Sequence, residues 1–448
     1  MEINMFTQKV FEAGKKIGFS DMEIYYVEGD NFEVAAFDNK IDTYKTNTDL
    51  GLSFRGIING NMGYAFTEKF EEDDIEFLVN SAASNSSEVQ SDVEPYIFEG
   101  SKAYTKITGR DFVDKAVKEK IEDALKMEKA AYEYDKRIKS VRYCLVSTGK
   151  GSRKIINTKG MNLEEDAGFA VMFLSLVAEQ NGEIKDGSMI KVNSDYNKID
   201  YKEIIKRSAE EAISKFGAKS VPTGKYKIIL RYDAAASLLA TFSSIFSSDA
   251  AQKGLSMLKG KAGTKIASAT VNILDDPFSK EAPSNCSFDD EGVATYKKYI
   301  VEKGVLKTLL YNNKTARKEN TNSTGNGFKA SYKSPVGVSP TNFYISPGEK
   351  SYEAAIESMD KAIVITELKG LHAGANSVSG DFSLAAEGFL VENGVQTRAI
   401  EQITIADNFY NVLMKIEEVL SDFEFSIPSS SSFGSASLVL SEMSISGE

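Results

Sequence analysis

Histidine is nearly absent from this 448-residue chain: His372 is the sole example. A histidine-based zinc site draws three or four ligands from His, Cys and carboxylates. The two cysteines, Cys144 and Cys286, lie far apart and form no CxxC pair. A complete zinc site within one subunit is therefore not expected, and neither is a disulfide framework or a zinc knuckle. The expectation is two reduced, partly buried thiols in a cytoplasmic protein. A Ser-His-Asp arrangement would have to use His372, and no GxSxG elbow supplies its serine.

Long apolar runs are also missing. No stretch approaches the ~20 residues that span a bilayer, and the N-terminal segment lacks a basic region followed by a continuous apolar one, so neither membrane insertion nor secretion is expected. Basic residues number 53 against 65 acidic, a formal charge of -12. That balance repels nucleic-acid phosphates unless a basic face overcomes it, and no Lys/Arg run with interleaved aromatics is present, so a nucleic-acid partner is not expected. Ser147-Thr148-Gly149-Lys150-Gly151 fails as a phosphate loop, because Cys144 replaces its first glycine and Gly151 its final Ser/Thr. There is no GxGxxG either.

What is present describes an α+β protein of two domains, since the length exceeds what one core usually organises. Phe6, Val10, Phe11 and Ala13 fall near helical spacing, while Met22–Phe37 and residues 52–66 alternate as strands. Asn59-Gly60 and Asn181-Gly182 are hairpin signals, because both central residues of a type I′ turn need positive φ. A helix is predicted over residues 111–132, with Val113, Val117, Ile121, Ala124 and Leu125 as its stripe. Another starts at Asp200 as cap, with Glu203 at the capping-box position, and ends before Gly217. Pro222 and Gly224 then break the pattern. The boundary is placed between Gly217 and Gly224, giving an N-terminal domain of antiparallel sheet with helices (1–220) and a strand-rich, barrel-like C-terminal domain with a few helices (221–448).

In the second half, residues 225–231 read as a strand, 234–246 as an apolar helix, and most of the rest as short strands. Val301-Glu302-Lys303-Gly304-Val305 and Val391-Glu392-Asn393-Gly394-Val395 predict two similar hairpins. Helical spacing returns at Phe409, Val412, Leu413, Ile416, Val419 and Leu420, with Asp407 placed to cap it. The run Ser429 to Ser432 reads as a loop, or as a serine-lined rim facing a cleft.

Candidate chemistry is sparse. His372, in Gly370-Leu371-His372-Ala373-Gly374, reads as a histidine hydrogen-bonded in a glycine-rich loop. Asp275-Asp276 and Asp289-Asp290-Glu291 are oxygen-rich enough for magnesium or calcium, but they sit among turn residues without EF-hand spacing and read as solvated loops. The segment from Gly374 through Asn376, Gly380, Asp381, Phe382 and Ser383 is unusually rich in small residues. Such a loop lets a backbone approach closely, as for an extended peptide. A tight inter-strand connection is an equal reading.

Several ordered segments resemble the TldD/PmbA family: Asp290-Glu291-Gly292, Ser323-Thr324-Gly325-Asn326, Gly337-Val338-Ser339-Pro340, Gly380-Asp381-Phe382-Ser383, and Ile403-Thr404-Ile405-Ala406-Asp407-Asn408. The resemblance extends over essentially the whole chain, and within the family it is to the PmbA branch, also called TldE. TldD-like chains carry HExxxH plus a cysteine in a glycine-rich segment near the C-terminus. Here Ala240, Thr241 and Ile245 stand where the two histidines and the glutamate would be, and residues 426–434 contain no cysteine.

The resemblance implies a subunit with no catalytic residue, metal ligand or cofactor of its own, in a metallopeptidase assembly that processes small or unfolded polypeptides. Zinc is then expected on a TldD-like partner in a heterodimer. Peptide contacts are assigned to His372, Gly374, Asn376, Gly380, Asp381, Phe382 and Ser383, with Gly325 and Asn326. The alternatives are a homodimer that binds peptides without cutting them, and a regulator acting by direct protein contact. The family's description as a modulator of DNA gyrase then reflects an effect downstream of proteolysis.

Overall fold

In the computed structural model, residues 1–88, 93–108, 111–282, 285–426 and 431–448 are described. The N-terminal half runs α1 (Ile3–Ile17), β1 (Met22–Phe37), β2 (Lys40–Ile58), β3 (Asn61–Thr67), α2 (Glu72–Ser86), α3 (Val117–Tyr134), β4 (Ile138–Asn157), β5 (Asn162–Gln180), β6 (Glu183–Asn193) and α4 (Tyr201–Ser214). The strands form one antiparallel sheet in the order β3-β2-β1-β4-β5-β6. Its hairpins follow from backbone chemistry: Asn59 and Gly60 have φ 50 and 75, Asn181 and Gly182 have φ 53 and 84, the left-handed pairs of a type I′ turn.

One face of this sheet carries all four helices. Met22, Ile24 and Tyr26 of β1 pack with Phe6 and Val10 of α1 and Leu78 of α2. Farther along the same strand, Phe32, Val34 and Ala36 pack with Ala124 and Met127 of α3. Shared parity puts both groups on one side. The opposite side, at Tyr25 and Ile155, meets Phe288 and Tyr332 of the C-terminal half.

That half contains β7 (Gly224–Leu230), α5 (Tyr232–Phe242), α6 (Ser248–Gln252), β8 (Ile273–Asp275), β9 (Lys298–Glu302), β10 (Val305–Leu306), α7 (Asn313–Lys318), β11 (Gly327–Lys329), β12 (Val336–Val338) and β13 (Asn342–Ile345). It continues with α8 (Tyr352–Glu357), β14 (Lys361–Lys369), α9 (Leu371–Gly374), β15 (Asp381–Glu392), β16 (Val395–Asn408), α10 (Phe409–Lys415), β17 (Ile416–Phe425) and β18 (Ser432–Ser446). Strands β7, β14, β15, β16 and β18 close on one another, because β18 pairs with both β16 and β7. This is the barrel, and Leu238, Leu239 and Phe242 of α5 share its core with Ile365, Leu384 and Leu438. On the other side of the same strands, Ile229, Val364 and Val439 pack with Ala355 and Ile356 of α8. The α+β class and the strand-rich second half are as the sequence indicates, and both Gly-containing hairpins form, as β9–β10 and β15–β16.

Three local expectations differ. The helix expected from 111 starts at Val117, because Val113 instead bridges to Asp195. Asp200 caps α4 by accepting the Lys202 amide at 2.9 Å, but Glu203 lies 3.9 Å from Arg207 and from Lys191. The helix expected to reach Leu420 stops at Lys415; Ile416 and Val419 enter β17 opposite Leu440 and Leu438. Its cap is Asn408, which accepts the Tyr410 amide at 3.1 Å, while Asp407 pairs with Lys415 at 2.7 Å.

Candidate functional site

Helix α5 follows β7 directly and buries its apolar side against β18, β14 and β17. Ser237, Ala240, Thr241 and Ser244 line its more open side. Thr241 spends its hydroxyl on the Ser237 carbonyl at 2.8 Å, one turn back. Ile245, on the 3₁₀ turn beyond the helix, is fully buried among apolar side chains. The residues do not fit a zinc ion: Ala240 and Ile245 offer no ligand atom, and Ile245 points into the core. Among the described residues, no three His, Cys, Asp or Glu side chains gather as a metal would require.

Beside α5 lies α9 with His372, followed by the loop into β15. Phe242 stacks on Phe409 at 4.6 Å and tilts against Phe382 at 6.1 Å, which fixes the loop to the end of α5. The loop is tied to itself. Asn376 Oδ1 accepts the amides of Val378 and Ser379 at 2.9 and 3.2 Å, and Asn408 Nδ2 donates to the Ser379 carbonyl and to Asp381 Oδ1 at 2.9 and 2.8 Å. Side-chain hydrogen bonds to its carboxyl, from Asn408 and from Ser379, hold Asp381 below its usual range. Gly380 has φ 86, and a Cβ there would lie 2.7 Å from the Tyr410 ring. Its glycine is therefore required by the loop's own packing. His372, Asp381 and Ser383 are exposed, whereas Phe382 is buried. Among the described residues His372 makes no side-chain hydrogen bond, so the hydrogen-bonded histidine expected from the sequence is not what forms.

Gly325 and Asn326 belong to a different, interior network. Asp275 accepts from Lys298 Nζ at 2.9 Å, from Asn326 Nδ2 at 2.8 Å, and from both the amide and hydroxyl of Thr341 at 2.7 Å. Asn326 completes its bonds with the Ser339 carbonyl at 3.0 Å and the Thr324 hydroxyl at 2.8 Å. Buried and saturated, it has nothing left for a peptide. Of the serine run, Ser431 donates to the Pro340 carbonyl at 2.7 Å and Ser432 starts β18; Ser429 and Ser430 lie outside the described residues.

The acidic segments overturn the expectation of solvated loops. Asp275, Asp276, Asp289, Asp290 and Glu291 are all buried. Asp290 pairs with Arg153 of β4 at 2.7 Å, Arg153 pairs with Glu165 of β5 at 2.7 Å, and Arg55 of β2 joins Glu23 at 2.7 Å to Glu291 at 3.5 Å. Asp289 instead accepts three backbone amides, from Glu291, Val293 and Gly327. Burial, with the Glu291 charge nearby, pushes its carboxyl well above the ordinary range, and burial raises Glu291 as well. Lys329 donates to Ser53 at 2.8 Å over the ring of Tyr25, and burial beside Arg55 presses its ammonium down to about 8. This cluster is a seam between the two halves. Its signal in the sequence was charge at inward strand positions, as in Met22-Glu23-Ile24. Burial also pushes the Cys144 and Cys286 thiols up to about 12.

A groove the sequence reading did not single out, of about 600 Å³, opens on the helical face of the first sheet, with Glu28, Asp30, Asp166 and Lys150 around Gly29 and Gly151.

Comparison with known proteins identifies this architecture. The sequence model of the PmbA/TldA metallopeptidase C-terminal domain matches residues 223–447, half of the chain. The chain belongs to the PmbA/TldD family. Models of the family's central domain and domain 1 match residues 110–216 and 22–86. A metalloprotease of Methanocaldococcus jannaschii is 27% identical over 431 residues, covering 94% of this chain and 93% of that protein. Metalloprotease PmbA of Escherichia coli O157:H7 is 26% identical, over 74% of this chain and 70% of its own length. Among solved structures, a proposed modulator of a DNA gyrase from Thermotoga maritima superposes with TM-score 0.90 at 34% identity, over 99% of this chain and 100% of that one. TldE from Thermococcus kodakarensis shares the fold, with TM-score 0.90 at 24% identity and the same coverage.

Proposed function

We propose that this chain is the non-catalytic, PmbA/TldE-like subunit of a cytoplasmic metallopeptidase assembly, in which a TldD-like partner holds the zinc and this chain contributes wall and binding surface for small or unfolded polypeptides. The observation that carries the reading is α5 with the 3₁₀ turn that follows it: a segment intact in fold and packing whose Ala240, Thr241 and Ile245 offer no metal ligand set. The corner beside it, with exposed His372, Asp381 and Ser383 on a braced loop, is the surface assigned to the peptide. Gly374, Gly380 and Phe382 shape that loop, and Asn376 ties it. Main-chain recognition suits a broad substrate range, being insensitive to side-chain identity.

The test is zinc content and mass of the chain purified alone and after co-expression with a relative bearing HExxxH. The reading predicts a zinc-free chain alone and an equimolar, zinc-containing complex with the relative. Stoichiometric zinc in the chain alone, or no complex, would overturn it.

A further inference from the structure

Between α6 and β8 the chain turns side chains outward and inward in alternation. Leu255 and Met257 are 47% and 53% exposed, while Ser256 and Leu258 are buried. The backbone is fixed in that setting. Ser256 Oγ donates to the Ile245 carbonyl at 2.6 Å and accepts the Leu258 amide at 3.1 Å, and Leu258 belongs to the barrel core. The Met257 amide donates to the Tyr410 hydroxyl at 3.3 Å, and the edge of the same ring lies against Gly380. Tyr410 therefore ties this segment to the loop assigned to the peptide. Val378, 42% exposed, stands two residues before Gly380, and Met414, 49% exposed, lies one turn along α10 from Tyr410. Large apolar side chains are thus held out in solvent from three elements that meet at one tyrosine, where an isolated one would need no explanation.

The charge of this segment is opposite to that of the chain. Residues 253–265 hold four lysines and no acid, in a protein of net charge -12. Lys253 is engaged by Asp249 at 2.7 Å. Lys259, Lys261 and Lys265 are exposed and, among the described residues, make no ion pair. We propose that this surface is a side-chain subsite selective for unfolded polypeptide segments in which apolar residues are flanked by Asp or Glu. The apolar residues cover Leu255, Met257 and Val378, and methionine, unbranched and polarisable, adapts to many apolar shapes. The carboxylates meet the three unpaired ammoniums. Salt limits such attraction to about 8 Å, so only acids close to the apolar anchor count. An exposed pair is worth at most about fivefold in affinity; three together give a preference of about tenfold or more over a basic segment of equal apolar content. An anionic membrane offers similar chemistry, but the net charge of the rest of the chain opposes it. The proposal rests on the reading of the loop 374–383 as polypeptide surface, and adds which polypeptides that surface takes.

Fluorescence anisotropy of the full chain with three labelled, unstructured peptides of equal length tests it: leucines among Glu and Ser, leucines among Lys and Ser, and Glu and Ser without leucine. The first binds about tenfold or more tightly than either of the others. Lys259→Gln/Lys261→Gln/Lys265→Gln brings the first and second to equal affinity. Leu255→Ser/Met257→Ser lowers the first to the level of the third. Circular dichroism is unchanged in both variants, and Met5→Ser, at an exposed position on α1, leaves all three affinities as they were. No binding of any peptide, equal binding of all three, or a preference that survives the lysine replacements would overturn the proposal. So would uptake of the chain by phosphatidylserine vesicles, lost in Leu255→Ser/Met257→Ser, in place of peptide binding. A chain that keeps the preference yet forms no complex with an HExxxH-bearing relative sinks the partner reading and leaves this one standing. A chain that forms the complex without the preference sinks this one alone.

Discussion

Replacing Arg153 by Met probes the seam between the two halves of the molecule most sharply. The guanidinium bonds Asp290 and Glu165 at 2.7 Å each, donates to the Phe288 carbonyl and lies 4.6 Å over the Phe288 ring. The two carboxylates it bridges are only 5% and 14% exposed. Glu165 keeps the amide and hydroxyl of Ser287, while Asp290 keeps neutral partners in the Lys329 amide and the Tyr25 side chain. Removing one member of a buried pair costs about 3–5 kcal/mol, mostly as the uncompensated charge. Native stability is about 5–15 kcal/mol, so the loss is a large fraction of the whole. At about 2–4 °C per kcal/mol for domains of this size, the unfolding midpoint falls by roughly 6–20 °C. Urea denaturation followed by tyrosine fluorescence, with a parallel thermal scan, measures both. Arg153→Lys does not rescue, because an ammonium cannot fork between two carboxylates. Adding Asp290→Asn to Arg153→Met recovers part of the loss by removing the stranded charge. A loss below about 1 kcal/mol, the scale of an exposed pair such as Lys9–Glu72, would refute the reasoning.

Further outcomes follow from other parts of the structure. The Lys329 ammonium, pressed to about 8, loses its proton in the folded chain before it does in the unfolded one; between about pH 8 and 10.4 the unfolded state binds more protons, so stability rises with pH by roughly 3 kcal/mol across that window. Lys329→Met abolishes the rise in a pH series of urea melts, and a slope unchanged by the substitution would contradict it. Asp289 works in the opposite sense: its raised carboxyl keeps a proton the unfolded chain has lost, so its contribution falls as pH climbs above about 4, and Asp289→Asn flattens that fall. Phe242→Ala, which removes a ring stacked on Phe409, costs about 3–5 kcal/mol in the same melts. Writing the motif back, as Ala240→His/Thr241→Glu/Ile245→His, does not create a tight zinc site, because position 245 is in the apolar core; calorimetric titration shows no tight zinc binding, and the melting midpoint drops.

How much was legible depended on whether the signal was local. Asn59-Gly60 and Asn181-Gly182 announced their turns because glycine at the second position has few other uses there. Asp38-Asn39 makes the same left-handed pair, with φ 53 and 57, and was missed for want of a glycine. The residues from Phe409 to Leu420 misled because β17 pairs with β18 through register shifts at Ile416/Glu418 and Val419/Phe423. Those irregularities break the two-residue alternation and leave spacings that imitate a helix. The acidic segment at Asp289 was misread because its partners come from elsewhere: Arg153 lies 137 positions from Asp290 in sequence. For the loop at Gly374 to Ser383, composition showed that the backbone is special. That its bonds close on themselves depends on Asn408 and Tyr410, one strand away.

Cleavage of an unfolded protein substrate tests the central claim most directly, using this chain alone, a TldD-like relative alone, and the two mixed, each with and without a zinc chelator. The account predicts no cleavage by this chain alone and chelator-sensitive cleavage by the mixture above the level of the relative alone. Turnover by this chain alone would contradict it, and so would a mixture no more active than the relative by itself.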